Sequence, residues 1–196
     1  RVNTNAIAAI TKTSAASVTD MVKRLAEKEL VLYEKYKGVT LTKNGGQIAT
    51  SLIRKHRLWE YFLVQKLNFS WADVHDIAEE LEHVSSLALI KRLDDYLGNP
   101  KFDPHGDPIP NAEGKFTIRA QQSLDVFEVG TKGILLGVKE HHKDFLEYLN
   151  KIKIALGSEL EILEKNNFDN SIIVKINNNK TYLLTEKVSK NLLIKK

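Results

Sequence analysis

Between Ser14 and Leu30 the apolar residues Val18, Met21, Val22 and Leu25 recur at separations of three and four, the period of one helical face. Ser14 stands where the N-cap of that helix is expected, and residues 3–10 read as a shorter helix before it. The stretch "LVLYEKYKGVTLTKNG" then alternates and turns at Lys37-Gly38, which predicts a hairpin. Helix, short turn, helix and hairpin is the order of a winged helix-turn-helix. From Gly46 to Leu97 the helical period returns, broken near Asn68-Phe69-Ser70 and at Ser85. Ser70 is the expected cap of a helix starting at Trp71, and Ser85 of one running to Leu97. All four prolines fall between Pro100 and Pro110, a composition that suits a connector and not a helix or central strand. Beyond Phe116 the runs "GILLGV", "SELEILEK", "SIIVKIN" and "KTYLLT" are short and β-like, with one helical insert at 140–153. They predict a small, mostly antiparallel β-barrel domain.

The pattern therefore describes an α+β multidomain chain: 1–46 a winged helix-turn-helix, 47–99 an all-α domain, 100–120 a proline-rich connector and 121–196 a β domain. Composition narrows what such a chain does. An apolar share of 42% supports a packed core, and no run approaches the ~18 apolar residues of a membrane span. Cysteine is absent, which excludes disulfides and thiolate metal sites and fits a reducing cytoplasm. A net charge of +4 permits nucleic-acid binding without requiring it. The chain opens on Arg1 with no Met, so a preceding element is expected to be missing.

One stretch concentrates chemistry. "HDIAEELEH" places His75, Asp76, Glu79, Glu80, Glu82 and His83 in nine positions. At about 100° per residue, His75, Glu79, Glu82 and His83 share one arc of a helix about 100° wide. His56 and Glu60, spaced i, i+4, share a face of the preceding helix. The stretch is either a solvated helix or half of a metal site, and spacing alone leaves both open.

These residues also carry a family resemblance. "TSAASVTDMVKRLAEKELV" with "GVTLTKNGGQIA", "IRKHRLWEYFL", "VHDIAEELEHV" and "GNPKFDPHGDPIP" resemble the recognition helix and wing, the two metal-bearing helices and the following segment of the diphtheria toxin repressor and manganese transport regulator family. "LGSELEI" falls where the SH3-like third domain of its longer members begins a strand. The resemblance implies a homodimeric, metal-dependent repressor of metal-uptake genes that binds a palindromic double-stranded operator. The helices at 48–67 and 85–97 would form the dimer interface. It implies two metal sites per subunit: a regulatory site with Glu79, Glu82 and His83, and a second site with His56, Glu60 and His75. The third domain would complete the second site through "KEHHKDF", by His141 first and Asp144 next. A further regulatory ligand would come from the family's first helix, which this chain lacks. Glu79 stands where iron-responsive members have Cys, and a hard carboxylate favours Mn²⁺, with Fe²⁺ the alternative.

On the recognition helix Ser14, Ala16, Ser17, Thr19 and Asp20 face the expected base readout, with phosphate contacts from Lys12, Lys23 and Lys37. These side chains are short, so sequence choice leans on methyl contacts and DNA shape. The rival readings are weaker. An enzyme built on the E-x-x-H of Glu80–His83 needs a second copy of that motif, which the chain does not contain. A winged-helix regulator without metal control would leave the paired His and Glu residues unexplained.

Overall fold

The structure is a computed structural model that describes residues 1–84 and 86–196. It divides into two units, Arg1–Ile53 and Arg54–Lys196.

In the first unit α1 (Thr4–Thr11) and α2 (Ala15–Glu27) precede the antiparallel hairpin of β1 (Val31–Glu34) and β2 (Gly38–Leu41). Lys12 ends α1 in the left-handed region, and Ser14 starts α2 by accepting the Ser17 amide at 3.0 Å, which supplies a partner to one of the otherwise unpaired first-turn N–H groups. Ala8, Val18, Val22, Val31 and Val39 form the core, with Ile7, Leu25 and Tyr33 packed against it. Met21, part of the expected apolar stripe, lies outside this core and is 55% exposed. The wing is widened by a bridge between Val2 and Val39. The long helix α3 (Lys43–Leu67) begins in this unit. Gly45 is required there, because a Cβ would sit 1.9 Å from the Leu30 carbonyl oxygen.

In the second unit the remainder of α3 packs with α4 (Val74–Glu82) and α5 (Leu87–Tyr96) around Leu58, Trp59, Leu63, Val74, Ala78, Ile90 and Leu93. Helix α4 starts three residues later than Ser70 predicts. Trp71 and Ala72 are buried in a different core, and the Trp71 indole donates to Asn150 Oδ1 at 2.7 Å. That packing holds residues 71–73 in a turn, and tertiary contact overrides the local cap signal. The expected cap Ser85 lies outside the described residues; Ser86 caps α5 by accepting the Leu89 amide.

The proline-clustered stretch forms neither helix nor central strand, yet it is tightly held. Arg54 donates to the Pro110 carbonyl and to Asp94, both at 2.6 Å. Arg57 donates to the Pro108 carbonyl at 2.6 Å and to Asp107 at 2.8 Å. Asp103, Pro104, His105 and Gly106 are all buried.

The rest is an antiparallel sheet: β3 (Gln122–Ser123), β4 (Lys132–Val138), β5 (Glu159–Lys165), β6 (Ile172–Ile176), β7 (Lys180–Leu184) and β8 (Leu192–Lys195), in the order β3-β8-β4-β5-β6-β7. Alternate residues such as Ile172, Val174 and Ile176 point inward, the period-2 signature of a half-buried strand. The expected helical insert is α6 (Lys143–Lys151), and a short α7 (Glu186–Asn191) precedes β8. The connector meets this sheet backbone to backbone. Val138 N donates to the His105 carbonyl at 2.9 Å. A Cβ on Gly106 would lie 2.2 Å from the Leu136 oxygen, with Gly106 at φ +93. Among the described residues no helix is long and apolar enough to cross a membrane.

Candidate metal centre

Helix α3 carries His56 and Glu60 one turn apart, and α4 brings His75 to them. The three donor atoms lie within 4.8 Å of one another. Glu60 Oε1 is 3.0 Å from His56 Nε2 and 3.6 Å from His75 Nδ1, and the two imidazoles meet edge to face at 4.9 Å. Glu60 is 3% exposed, so its charge needs a partner. Burial works to raise its pKa, but the facing imidazoles of His105, His56 and His75 hold it well below the ordinary carboxylate range. Burial likewise opposes a charged His56, and the Glu60 and Glu82 carboxylates outweigh it and raise its pKa. His75 is raised by Glu60. Imidazole nitrogen and carboxylate oxygen are donors that Mn²⁺, Fe²⁺ and Zn²⁺ accept, and here they converge on one buried anion. The residues fit a divalent cation.

The residues of the expected regulatory site are placed differently. Glu82 is buried and its Oε2 lies 2.8 Å from His56 Nδ1. Glu79 is exposed and groups with His75 and Asp76 within 4.8 Å. His83 is exposed at the C-cap of α4. Glu79, Glu82 and His83 do not gather into one cluster of ligating atoms among the described residues. Of the two residues read from "KEHHKDF", Asp144 is exposed and faces His142 Nδ1 at 3.6 Å. His141 stacks on His105 at 4.8 Å, with Nε2 3.3 Å from the Val138 carbonyl.

The residue that pattern reading missed is His105. It is 1% exposed, stacked between Trp71 and His141, and its Nδ1 lies 3.6 Å from Glu60 Oε2. Asp103, 4% exposed, lies in the same cluster, and burial together with the neighbouring Glu60 charge pushes it up to about 7. The available signal was "DPHGD", a histidine between two aspartates four residues apart.

The candidate DNA contacts all lie in the first unit. Ala16, Ser17 and Asp20 are exposed on α2, and Thr19 Oγ1 donates to the Ala15 carbonyl at 2.7 Å. Ser14 and Ser17 also bond through their hydroxyls at 2.8 Å. Lys12 is exposed at the turn between the helices. Lys23 lies 3.9 Å from Asp20, and Lys37 pairs with Glu34 at 2.8 Å.

Three family profiles cover nearly the whole chain. Residues 1–39 match the iron dependent repressor N-terminal DNA binding domain, 42–111 its metal binding and dimerisation domain, and 122–196 the FeoA domain. A curated relative, "Probable metal transport system membrane protein" of Chlamydia trachomatis, is 43% identical over 76 residues, covering 39% of this chain and 17% of that protein. The iron-dependent repressor IdeR of Mycobacterium tuberculosis is 36% identical over 97 residues, 50% of this chain and 42% of its own. The chain thus spans less than half the length of these two relatives. A solved manganese-dependent transcriptional repressor in complex with manganese superposes with TM-score 0.88 at 35% identity, covering 99% of this chain and 90% of that one. The sequence of its domains, the three profiles and this full-length likeness place the chain in the diphtheria toxin repressor family of metal-dependent transcriptional repressors.

Proposed function

We propose that this protein is a cytoplasmic, Mn²⁺-responsive repressor that binds a palindromic operator of metal-uptake genes as a homodimer. The observation that carries the metal reading is the convergence of His56 and His75 on Oε1 of the buried Glu60. His56, Glu60 and His75 would hold one cation, and His141, which stacks on His105, would approach it from the β domain. Glu79, Glu82 and His83 hold the regulatory cation, for which Glu82 turns away from His56. In this reading residues 1–46 bind DNA, 47–99 bind metal and dimerise, 100–120 connect and 121–196 form the SH3-like domain.

A bound cation supplies fixed positive charge between α3 and α4. Without it Glu79 and Glu82, one turn apart, repel each other, and protonated histidines balance Glu60. Fixing α3 against α4 presets the separation of two recognition helices for successive major grooves. For a decisive switch the cation must favour that state by several kcal/mol. On α2 the exposed Ala16, Ser17 and Asp20 face the bases, while Lys12 and Lys23 contact phosphates.

A mobility-shift titration with operator DNA, comparing Mn²⁺, Fe²⁺ and Zn²⁺ and ending in EDTA, tests this. Mn²⁺ should give the tightest specific complex and EDTA should dissolve it. Specific binding unchanged by EDTA would remove the metal switch, and a strongest response to Fe²⁺ would make iron the signal.

A further inference from the structure

The turn between α3 and α4 belongs to two cores at once. Trp71 and Ala72 are buried in the core of the sheet, while Val74 and Ala78, just beyond them, are fully buried in the core of the three helices. Val64 of α3 packs against both. Polar contacts also tie the turn to the β domain. The Trp71 indole donates to Asn150 Oδ1 at 2.7 Å, Asn150 Nδ2 donates to Ser70 Oγ at 3.4 Å, and Lys143 Nζ lies 2.5 Å from Asp73 Oδ1. Asn150 and Lys143 both stand on α6. On the backbone side His105 Nε2 lies 2.7 Å from the Trp71 carbonyl, so the connector grips the same turn. None of Ser70, Trp71, Asp73, Lys143 and Asn150 is among the candidate ligands.

What this turn controls is the start of α4. His75 is the second residue of that helix. Asp73 stands at the N-cap, yet among the described residues its side chain makes no capping bond to the first turn; its carboxylate is turned to Lys143 instead. A first turn without a side-chain cap is held weakly by its own sequence, so its place depends on what precedes it. What precedes it is fixed on α6. That helix begins at Lys143, so His141 lies immediately before it in the chain. One short helix therefore anchors the turn that leads to His75 and follows directly on His141.

We propose that Trp71 and Asn150 are positioning residues for the metal site of His56, Glu60 and His75, fixing the first turn of α4 to the β domain so that His75 and His141 are in place before a cation arrives. A site assembled in advance binds more tightly, because less ordering is drawn from the binding free energy. The inference rests on the metal reading given above for those residues.

The test separates affinity from stability. Full-length protein is titrated with Mn²⁺ by calorimetry as the parent, Asn150→Ala, Asn150→Asp and the His56→Ala/His75→Ala pair. Asn150 is exposed, so substitutions there leave both cores filled. Ala takes the acceptor from the Trp71 N–H, and Asp keeps an oxygen for it. The paired variant identifies which equivalent of Mn²⁺ belongs to this site. Asn150→Ala should weaken that equivalent roughly three- to tenfold, the scale of one hydrogen bond, and leave any other unchanged; Asn150→Asp should restore it. Hydrogen exchange in chelator needs no metal. It should show the amides of Ala78 and Glu79, which close the first turn of α4, opening faster in Asn150→Ala, with those of β6 unaltered. Unchanged affinity of that equivalent in Asn150→Ala would overturn the positioning role while leaving the metal reading intact. Equal weakening of every equivalent, or exchange accelerated throughout the chain, would overturn it too, since Asn150 would then act on stability alone. If the paired variant removes no equivalent, the metal reading fails and this inference falls with it.

Discussion

Glu82 Oε2 lies 2.8 Å from His56 Nδ1, while the other ring nitrogen of His56 meets Glu60 at 3.0 Å. One imidazole is thus clamped between carboxylates from two helices, one assigned to each of two metal sites. In metal-free protein His56→Ala and Glu82→Ala should therefore be coupled. Charged hydrogen bonds of this burial contribute about 2 kcal/mol, and a double-mutant cycle by urea denaturation in chelator should return about 1–2 kcal/mol of coupling. A coupling of zero would separate the two residues energetically.

The same contacts set a pH dependence. His56 and His75 have pKa values raised above 6.5 by their carboxylates, and a ligating nitrogen must first lose its proton. Mn²⁺ affinity measured by calorimetry should keep rising with pH beyond 6.5 and level off only above the raised values. In metal-free protein the sign reverses. A histidine raised by folding contributes stability in full below its unfolded pKa and loses it as pH climbs through the folded value. Chelated protein should therefore lose part of its stability as pH rises above 6.5 and through the raised values, a loss that added Mn²⁺ removes.

Asp94 answers Arg54 at 2.6 Å, with both side chains nearly buried at 12% and 13% exposure. Asp94→Ala leaves the guanidinium inside with only the Pro110 carbonyl. Removing one partner of a buried pair costs about 3–5 kcal/mol, so the melting temperature should fall steeply. Arg54→Ala leaves the Asp94 carboxylate unpaired in the interior, so a comparable loss is expected there.

At Gly106 a methyl group meets the Leu136 oxygen at 2.2 Å on a backbone with φ +93. Gly106→Ala should destabilise the second unit by about 2–4 kcal/mol, measured by chemical denaturation. Gly98→Ala is the control: its φ is +77 with open space around it, so only the backbone term of about 1 kcal/mol applies.

On α2 the readout and packing roles should separate. Val22 is 4% exposed in the core of the first unit, and Val22→Ala should lower stability by about 1–3 kcal/mol. Ala16 is exposed; Ala16→Ser should leave stability within about 0.5 kcal/mol and change operator affinity in the mobility shift.

Elements governed by neighbours in sequence were legible from sequence. Ser14 capped its helix as expected because capping needs only the next three residues. The hairpin turned next to Gly38, at φ +95, for the same reason. Elements governed by distant contacts were not. Ser70 lost its helix start to the burial of Trp71, whose indole bonds Asn150, 79 positions away in the chain. His56, Glu60 and His75 could be grouped by helical spacing, whereas the orientation of Glu82 toward His56 depends on how α3 and α4 pack. His105 was invisible to periodicity because its segment has none: arginines, prolines and a glycine contact hold it, and only the "DPHGD" composition hinted at chemistry.

The contact of Gly106 with β4 also bears on how such a chain can be recombined. Because the His105 carbonyl accepts from Val138 and Gly106 lies on the Leu136–Gly137 backbone, the sheet and the proline segment are two halves of one seam. A chimera joined near residue 120 would pair a foreign sheet with a native seam partner and misfit at both glycines. One joined near residue 99 would carry both halves together. Because Arg54 and Arg57 hold the Pro110 and Pro108 carbonyls, the seam transfers intact only when α3 from Arg54 onward travels with it, and His105 goes with that block.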